Sequence, residues 1–242
     1  MNVITVASRK GGAGKSTLTA HLAAHGQSLG KRCLIIDADP QGSLSLWHSM
    51  RTGGEPALVN AARGIDGPLA LAMVEGYEWV FIDTAPTMWV VVQEAIRAAT
   101  MVLIPARPGF FDLAAVRETV KVARERNKPY AVVINAAPVK RDEKESPVVL
   151  QSRTHLDKLQ IPVWAGQISQ RAGFSLCLGA GLSAGEVDPD CAAATEITRL
   201  WTAIERAVDA VNAAQGAMKV APASAPAAAA GPAPGSAAPQ AA

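Results

Sequence analysis

Arg9-Lys10-Gly11-Gly12-Ala13-Gly14-Lys15-Ser16-Thr17 is the stretch that decides how this chain is read. The residues before it, Asn2-Val3-Ile4-Thr5-Val6-Ala7, are mostly apolar, rich in β-branched side chains and too few for a helix. They predict a buried strand. The residues after it, Leu18 to Leu29, predict a helix closed by Gly30. A strand, a glycine turn and Lys-Ser-Thr opening a helix make a phosphate cradle. The glycines let backbone N–H groups turn inward as an anion nest, and the helix N-terminus adds its own unpaired N–H groups and dipole. Lys15 is placed to reach β- and γ-phosphates, and the Ser16 hydroxyl to ligate Mg²⁺.

The general pattern G-x-x-x-x-G-K-[ST] is not met, because Arg9 stands at its first glycine. What stands instead is K-G-G-x-G-K-S-T, with a second lysine, Lys10, at the front of the loop. This resembles the deviant Walker A box of the ParA/MinD ATPases. The resemblance implies ATP binding by Lys10, Gly11, Gly12, Ala13, Gly14, Lys15, Ser16 and Thr17. It also implies that Lys10 reaches across a dimer interface to the partner's nucleotide and takes part in catalysis.

The chain has 242 residues, enough for one α/β domain with a large core, and its 49% apolar content is that of a globular protein. A net charge of +2 is too small to imply nucleic acid by itself. Cys33, Cys177 and Cys191 are far apart and form no C-x-x-C, which argues for a reducing compartment without a disulfide frame or zinc site. No signal-peptide pattern is seen, and no run of about eighteen apolar residues occurs. A cytoplasmic protein without a transmembrane helix is therefore expected.

Along the chain, strands are predicted at Arg32–Ile36, near Ala57-Leu58-Val59, at Trp79–Ile82, at Met101–Ile104 stopped by Pro105, at Tyr130–Ile134, and beginning at Pro162–Trp164. Helices are predicted at Ser43–Met50 with Ser43 as candidate N-cap, Pro68–Val74, Val90–Ala98, Leu113–Arg126 after Asp112, Val148–Leu159 and Cys191–Ala213. Alternating β and α with continuous Val/Ile/Leu strands predicts an α/β fold: a mostly parallel twisted sheet with helices on both faces. Such sheets bind ligands at the carboxyl ends of their strands. From about Gly216 the composition shifts, and Ala221 to Ala242 is nearly all Ala, Pro, Gly and Ser. A domain over 1–215 and a disordered tail over 216–242 are expected, the tail either solvated or serving as a tether.

Two more boxes end predicted strands. Asp37-Ala38-Asp39-Pro40-Gln41-Gly42 matches the D-x-D-P-Q box of the ParA branch. By resemblance Asp39 positions the attacking water and Asp37 supports the Mg²⁺ shell. Trp79-Val80-Phe81-Ile82-Asp83-Thr84-Ala85-Pro86 is a Walker B pattern, with Asp83 placed to hold a Mg²⁺-bound water. The family has proline where this chain has Ala85. Asn135 also ends a strand, and its amide can meet an adenine edge or shape a turn. Gln167-Ile168-Ser169-Gln170-Arg171 falls where relatives carry an arginine-containing loop near the base.

His21 and His25 lie four apart on the first helix, but no third ligand accompanies them and a helix brings such pairs together anyway. Arg117, Lys121 and Arg124 share a helix face, and a charged loop, Lys140-Arg141 with Lys144, follows later. A solvated face is the default reading, and contact with DNA phosphates is the functional one.

The resemblance covers about residues 1–213, as a short ParA form without a helix-turn-helix module ahead of its first strand. It implies an ATPase whose cofactors are ATP and Mg²⁺. It implies ATP-driven homodimerisation, non-specific binding to nucleoid DNA, and hydrolysis stimulated by a ParB-like or other adaptor protein. Such a cycle segregates plasmid or chromosome DNA or positions a cellular cargo. The alternative is a MinD-like membrane-associated ATPase; those relatives end in a basic amphipathic helix, whereas this chain ends Ala/Pro-rich. A nitrogenase-iron-protein-like reductase needs cysteines soon after the Walker B segment, and none lies between Cys33 and Cys177.

Overall fold

Strands buried on both faces are largely apolar, and this sheet follows the rule except at a few buried polar positions, Thr5, Asp37, Asp83 and Thr84 among them. The computed structural model describes residues 1–61 and 64–220. Within them, in chain order, lie β1 Asn2–Val6, α1 Lys15–Ser28, β2 Cys33–Ala38, α2 Ser43–Ser49, β3 Ala57–Asn60, α3 Asp66–Val74, β4 Trp79–Thr84 and α4 Trp89–Ala98. There follow β5 Met101–Ala106, α5 Phe110–Glu125, β6 Tyr130–Ile134, α6 Pro147–Lys158, α7 Ala172–Gly179, α8 Ala184–Val187 and α9 Ala192–Val220. The six strands form one all-parallel sheet in the order β3-β2-β4-β1-β5-β6.

Successive side chains on each strand divide between two cores. Ile4, Val6, Ile35, Phe81 and Leu103 face α1, α7 and α9. Ile36, Val80, Ile82, Val102 and Ile134 face the α3–α6 side. The α1 side is held by aromatic packing: Trp201 of α9 lies 4.8 Å from Trp79 and 6.1 Å from Phe81, centroid to centroid. Gly26 of α1 permits this approach, because a Cβ there would sit 2.5 Å from the Trp201 ring and 2.8 Å from Cys33 Sγ.

Several expected boundaries move, each for a local reason. Pro105 does not stop β5 but lies inside it. The last β1 residue paired with β5 is Val6, opposite Leu103, so the side on which Pro105 lacks an N–H has no β1 ladder left to serve. Ser43 is not the cap of α2; Gly42 occupies that position, and the N3 amide, from Ser45, is instead held by Asp37 Oδ2 at 2.9 Å. Asp112 does not precede α5 but sits in its first turn, where its Oδ1 accepts the Arg107 N–H at 3.4 Å. The Pro162–Trp164 strand reduces to one bridge, Val163 to Val132. The segments that became α7 and α8 carry no clear helical period, and the sequence reading passed over them. Helix α9 runs through the compositional change at Gly216 to Val220, and the expected tail over 221–242 lies outside the described residues.

The His21/His25 pair serves the core. The His21 ring stacks on Phe174 at 5.0 Å, and its Nε2 lies 3.8 Å from Cys177 Sγ. Among the described residues no cluster of three or more His, Cys, Asp or Glu could hold a metal. Burial pushes the His21 pKa down from 6.5 to about 4, against a smaller opposing pull from Glu186. The folded imidazole therefore stays neutral while the unfolded chain protonates near pH 6.5. As pH falls through that window the unfolded state binds a proton that the fold refuses, and stability drops by on the order of 3 kcal/mol. His21→Leu is expected to flatten the loss of stability between pH 6.5 and 4, read from urea unfolding midpoints across that range.

Candidate nucleotide site at the carboxyl edge of the sheet

Strand β4 is inserted between β1 and β2, so three strand ends converge on one edge. The glycine loop follows β1, Asp37 and Asp39 close β2, and Asp83 closes β4. The register aligns Asp83 with Val6 on one side and with Asp37 on the other. This is the crevice at a reversal of strand order where open parallel sheets hold ligands. A cavity of about 670 Å³ opens there, lined by Gly11, Gly12, Gly14, Lys15, Ser16 and Asp39 among others.

The loop is braced from behind. Gly14 caps α1 at φ +94, a left-handed conformation that glycine adopts freely. Asn135, at the end of β6, donates Nδ2–H to the Ala13 carbonyl at 2.6 Å. A Cβ on Gly14 would collide with that same Nδ2. Asn135 is buried under the loop and does not line the cavity. The Gln167–Arg171 stretch runs beside it, with Ala137 N–H bonded to the Ile168 carbonyl and Gln170 N–H to that of Ala137. Arg171 is held by Glu196 of α9 at 3.1 Å. At the front of the loop the Arg9 guanidinium stacks over Trp89 of α4, 4.6 Å from its ring centroid. Thus Arg9, where the general motif has glycine, fastens the loop to α4.

Charge is concentrated and largely dry. Lys15 is buried at the start of α1; desolvation lowers its pKa, and Asp83 and Asp39 pull it back up. The Ser16 hydroxyl donates to Asp83 Oδ2 at 2.6 Å. Burial pushes the Asp83 carboxyl up to about 7 despite the Ser16 bond and the Lys15 charge, and Asp37 and Asp39 add to the rise. Its second oxygen, Oδ1, is buried with no hydrogen-bond partner. A hydroxyl and a carboxylate with an orphaned oxygen are the hard donors a Mg²⁺ shell uses, so the residues present fit that ion. Asp37 is less available: Oδ2 accepts from both N–H and Oγ–H of Ser45, and Oδ1 from the Asp39 N–H at 3.3 Å. Asp39 lines the cavity, its Oδ1 oriented by the Gln41 N–H at 2.9 Å.

Lys10 is exposed and does not line its own protomer's cavity. On α5, Arg117 and Lys121 are exposed, whereas Arg124 is tied down by bonds to Tyr130 Oη at 2.7 Å and the Gln160 carbonyl at 3.0 Å. The sequence reading missed Arg107, Trp47, Met50 and Leu178, all of which line the cavity. Arg107 follows β5 at the same sheet edge, so the strand-end rule that found Asp83 was the signal for it.

Fold and site together define a P-loop nucleotide-binding protein. A family model described as the CobQ/CobB/MinD/ParA nucleotide binding domain matches residues 4–216, and the chain belongs to that family. It is 36% identical over 122 residues to the maintenance of carboxysome distribution protein A of Gloeobacter kilaueensis, a match spanning 49% of this chain and 55% of that protein. It is 25% identical over 184 residues to the protein of that name from Halothiobacillus neapolitanus, covering 74% and 85%. It is 31% identical over 145 residues to the chromosome-partitioning ATPase Soj of Thermus thermophilus, covering 47% and 57%. The chain thus spans little more than half the length of two of these three relatives. Among solved structures, the Pyrococcus horikoshii septum site-determining protein MinD with Mg-ADP superposes with TM-score 0.69 at 16% identity, covering 87% of this chain and 98% of that one. A Cyanothece McdA–ATP complex gives 0.59 at 16%, covering 89% and 96%.

Because Gly14 and Asn135 share one space, Gly14→Ala is expected to push the loop out of register and weaken ADP binding by on the order of tenfold or more, measured by titration calorimetry. Adding Asn135→Ala removes the obstacle and should recover part of the loss.

Proposed function

We propose that this chain is an ATP-hydrolysing, ParA-like positioning protein. The observation that carries the reading is a division of labour in the loop: Lys15 is buried at the cavity with Asp39 and Asp83 around it, while Lys10 is exposed and is not among the residues that line the cavity. A lysine outside its own site is suited to a second protomer's nucleotide. In this reading the nest and Lys15 bind the phosphates, and Ser16 and Asp83 hold Mg²⁺, which supplies charge neutralisation on the β- and γ-phosphates when bound. Asp37 backs that shell from the end of β2. Asp39 orients the attacking water, and the Gln41 N–H fixes its carboxylate for that task. Asn135 serves the nucleotide indirectly, by bracing the loop through the Ala13 carbonyl.

The ATP-bound dimer then binds DNA without sequence preference, with Arg117, Lys121 and Arg124 of α5 as candidate contacts, and an adaptor protein stimulates hydrolysis and release. Arg124 would have to leave Tyr130 to take part. The cargo is DNA or a cellular assembly, in line with the names of the partitioning and carboxysome-distribution relatives. A lipid-bound role is less favoured, because the apolar face of α9 is committed to the core through Ile197, Leu200, Trp201, Ile204 and Val208. In this proposal the ATPase unit runs to the end of α9 at Val220, past the expected boundary at 215.

Asp39→Ala is expected to keep ATP affinity and lose turnover by on the order of a hundredfold or more, since a positioned water matters to the barrier and little to the ground state. Single-turnover hydrolysis beside equilibrium binding on the same preparation checks this. The trapped form should be dimeric and retained on random duplex at low salt, and released as salt rises. Loss of binding and turnover together would make Asp39 a structural or metal-site residue.

Lys10→Ala should bind nucleotide yet stay monomeric with ATP and Mg²⁺, as read by light scattering. A mutant dimer of normal stability would refute the cross-interface role.

A further inference from the structure

Three charged side chains line the cavity: Lys15, Asp39 and Arg107. The first two already have a place in the proposed reaction, and Arg107 does not. It follows the last residue of β5 and is exposed at the cavity mouth. Its Nη2 lies 3.7 Å from where a Cβ on Gly12 would stand, so the guanidinium rests against the inward turn of the anion nest.

What the guanidinium does not do is equally informative. Several arginines of the fold are paired with carboxylates. Arg51 is bonded to Glu186, Arg153 to Glu145 and Arg171 to Glu196. Among the described residues the Arg107 guanidinium has neither ion pair nor hydrogen bond. Its neighbour Asp112 is engaged through the Arg107 backbone N–H, which fixes the turn and leaves the side chain free. Five donors in a planar fork are thus held beside a ring of backbone N–H groups, with no anion of the protein to bind.

The charge balance indicates what the fork receives. Lys15 is countered within the site by two carboxylates, Asp39 and Asp83. A nucleoside triphosphate brings several further negative charges, and Arg107 is the one unpaired cation lining the cavity among the described residues. It shares that cavity with Asp39, the residue proposed to face the water beside the terminal phosphate.

We propose that Arg107 is a terminal-phosphate ligand supplied by the same protomer, and that it sets the preference of this site for a nucleoside triphosphate over a diphosphate. This rests on the nucleotide-site reading above. On binding, the guanidinium donates to γ-phosphate oxygens in the fork geometry that a lysine cannot reproduce. Because the side chain has no partner in the fold, replacing it leaves folding undisturbed.

The test is equilibrium binding of a non-hydrolysable ATP analogue and of ADP, each with Mg²⁺, to wild type, Arg107→Gln, Arg107→Lys and Lys15→Ala. Arg107→Gln is expected to lose about tenfold or more in affinity for the ATP analogue and to keep its ADP affinity. Arg107→Lys should fall between Arg107→Gln and wild type. Lys15→Ala should lose both ligands. An unchanged ratio of the two affinities in Arg107→Gln, whether both hold or both fall, overturns the assignment while wild-type binding leaves the nucleotide site standing. If wild type binds neither ligand, the nucleotide reading fails and this assignment with it.

Discussion

Asp83 is a carboxylate placed where water does not reach. It lies on a central strand, flanked by β1 and β2, and among the described residues its one hydrogen bond to a side chain comes from Ser16. Isolated charges are costly to bury, so such a group persists only beside compensating charge or donors. Lys15 answers on the other side, itself desolvated and sustained by Asp83 and Asp39. The cluster leaves one carboxylate oxygen of Asp83 unpartnered, a state that a cation completes. The chemistry of the site therefore follows from a deficit in its solvation.

That cluster is positioned by α1. Its first turn carries Lys15 and Ser16, and its later turns supply Leu18, Leu22 and Ala23 to the core under the sheet. Gly26 then lets Trp201 close against Trp79 and Phe81, tying α9 to β4, the strand that ends in Asp83. One helix thus links the proposed phosphate loop to the aromatic packing of Trp201 against Trp79 and Phe81. Behind the loop, Asn135 holds Ala13 from β6; in front, Trp89 holds Arg9 from α4. The nest is thus braced from one strand, β6, and one helix, α4, which is the preorganisation that electrostatic binding needs.

Much of this was legible in the chain. The glycine loop between β1 and α1, the two aspartate boxes, and the alternation of strands and helices carry local signals: β-branched runs, glycine at left-handed turns, carboxylates at strand ends. Less legible were features whose cause is distant in sequence. Pro105 reads as a stop, but its missing N–H falls where β1 has ended. Ser43 reads as a cap, but Asp37 takes over the N-terminal amide from the neighbouring strand end. Asn135 reads as a base contact or a turn former, and in the fold its amide braces the loop. Helix α7 is short and glycine-containing and packs against α1, whereas α8 is opened by a capping box, Ser183 with Glu186, whose S-x-x-E spacing the sequence reading passed over.

By itself, then, the sequence determined the fold class, the phosphate loop and the residues that close each strand, because those depend on periodicity and on backbone conformations that few residues adopt. Only the tertiary structure decided that β4 lies between β1 and β2, and so which strand ends meet. It also decided which charges find partners. Arg171 is engaged by Glu196 and Arg124 by the Gln160 carbonyl, both far along the chain, while among the described residues Arg107 is left without a partner at the edge of the nest. Pairing of this kind is a matter of distance between elements brought together by a shared core, and no spacing along the chain encodes it.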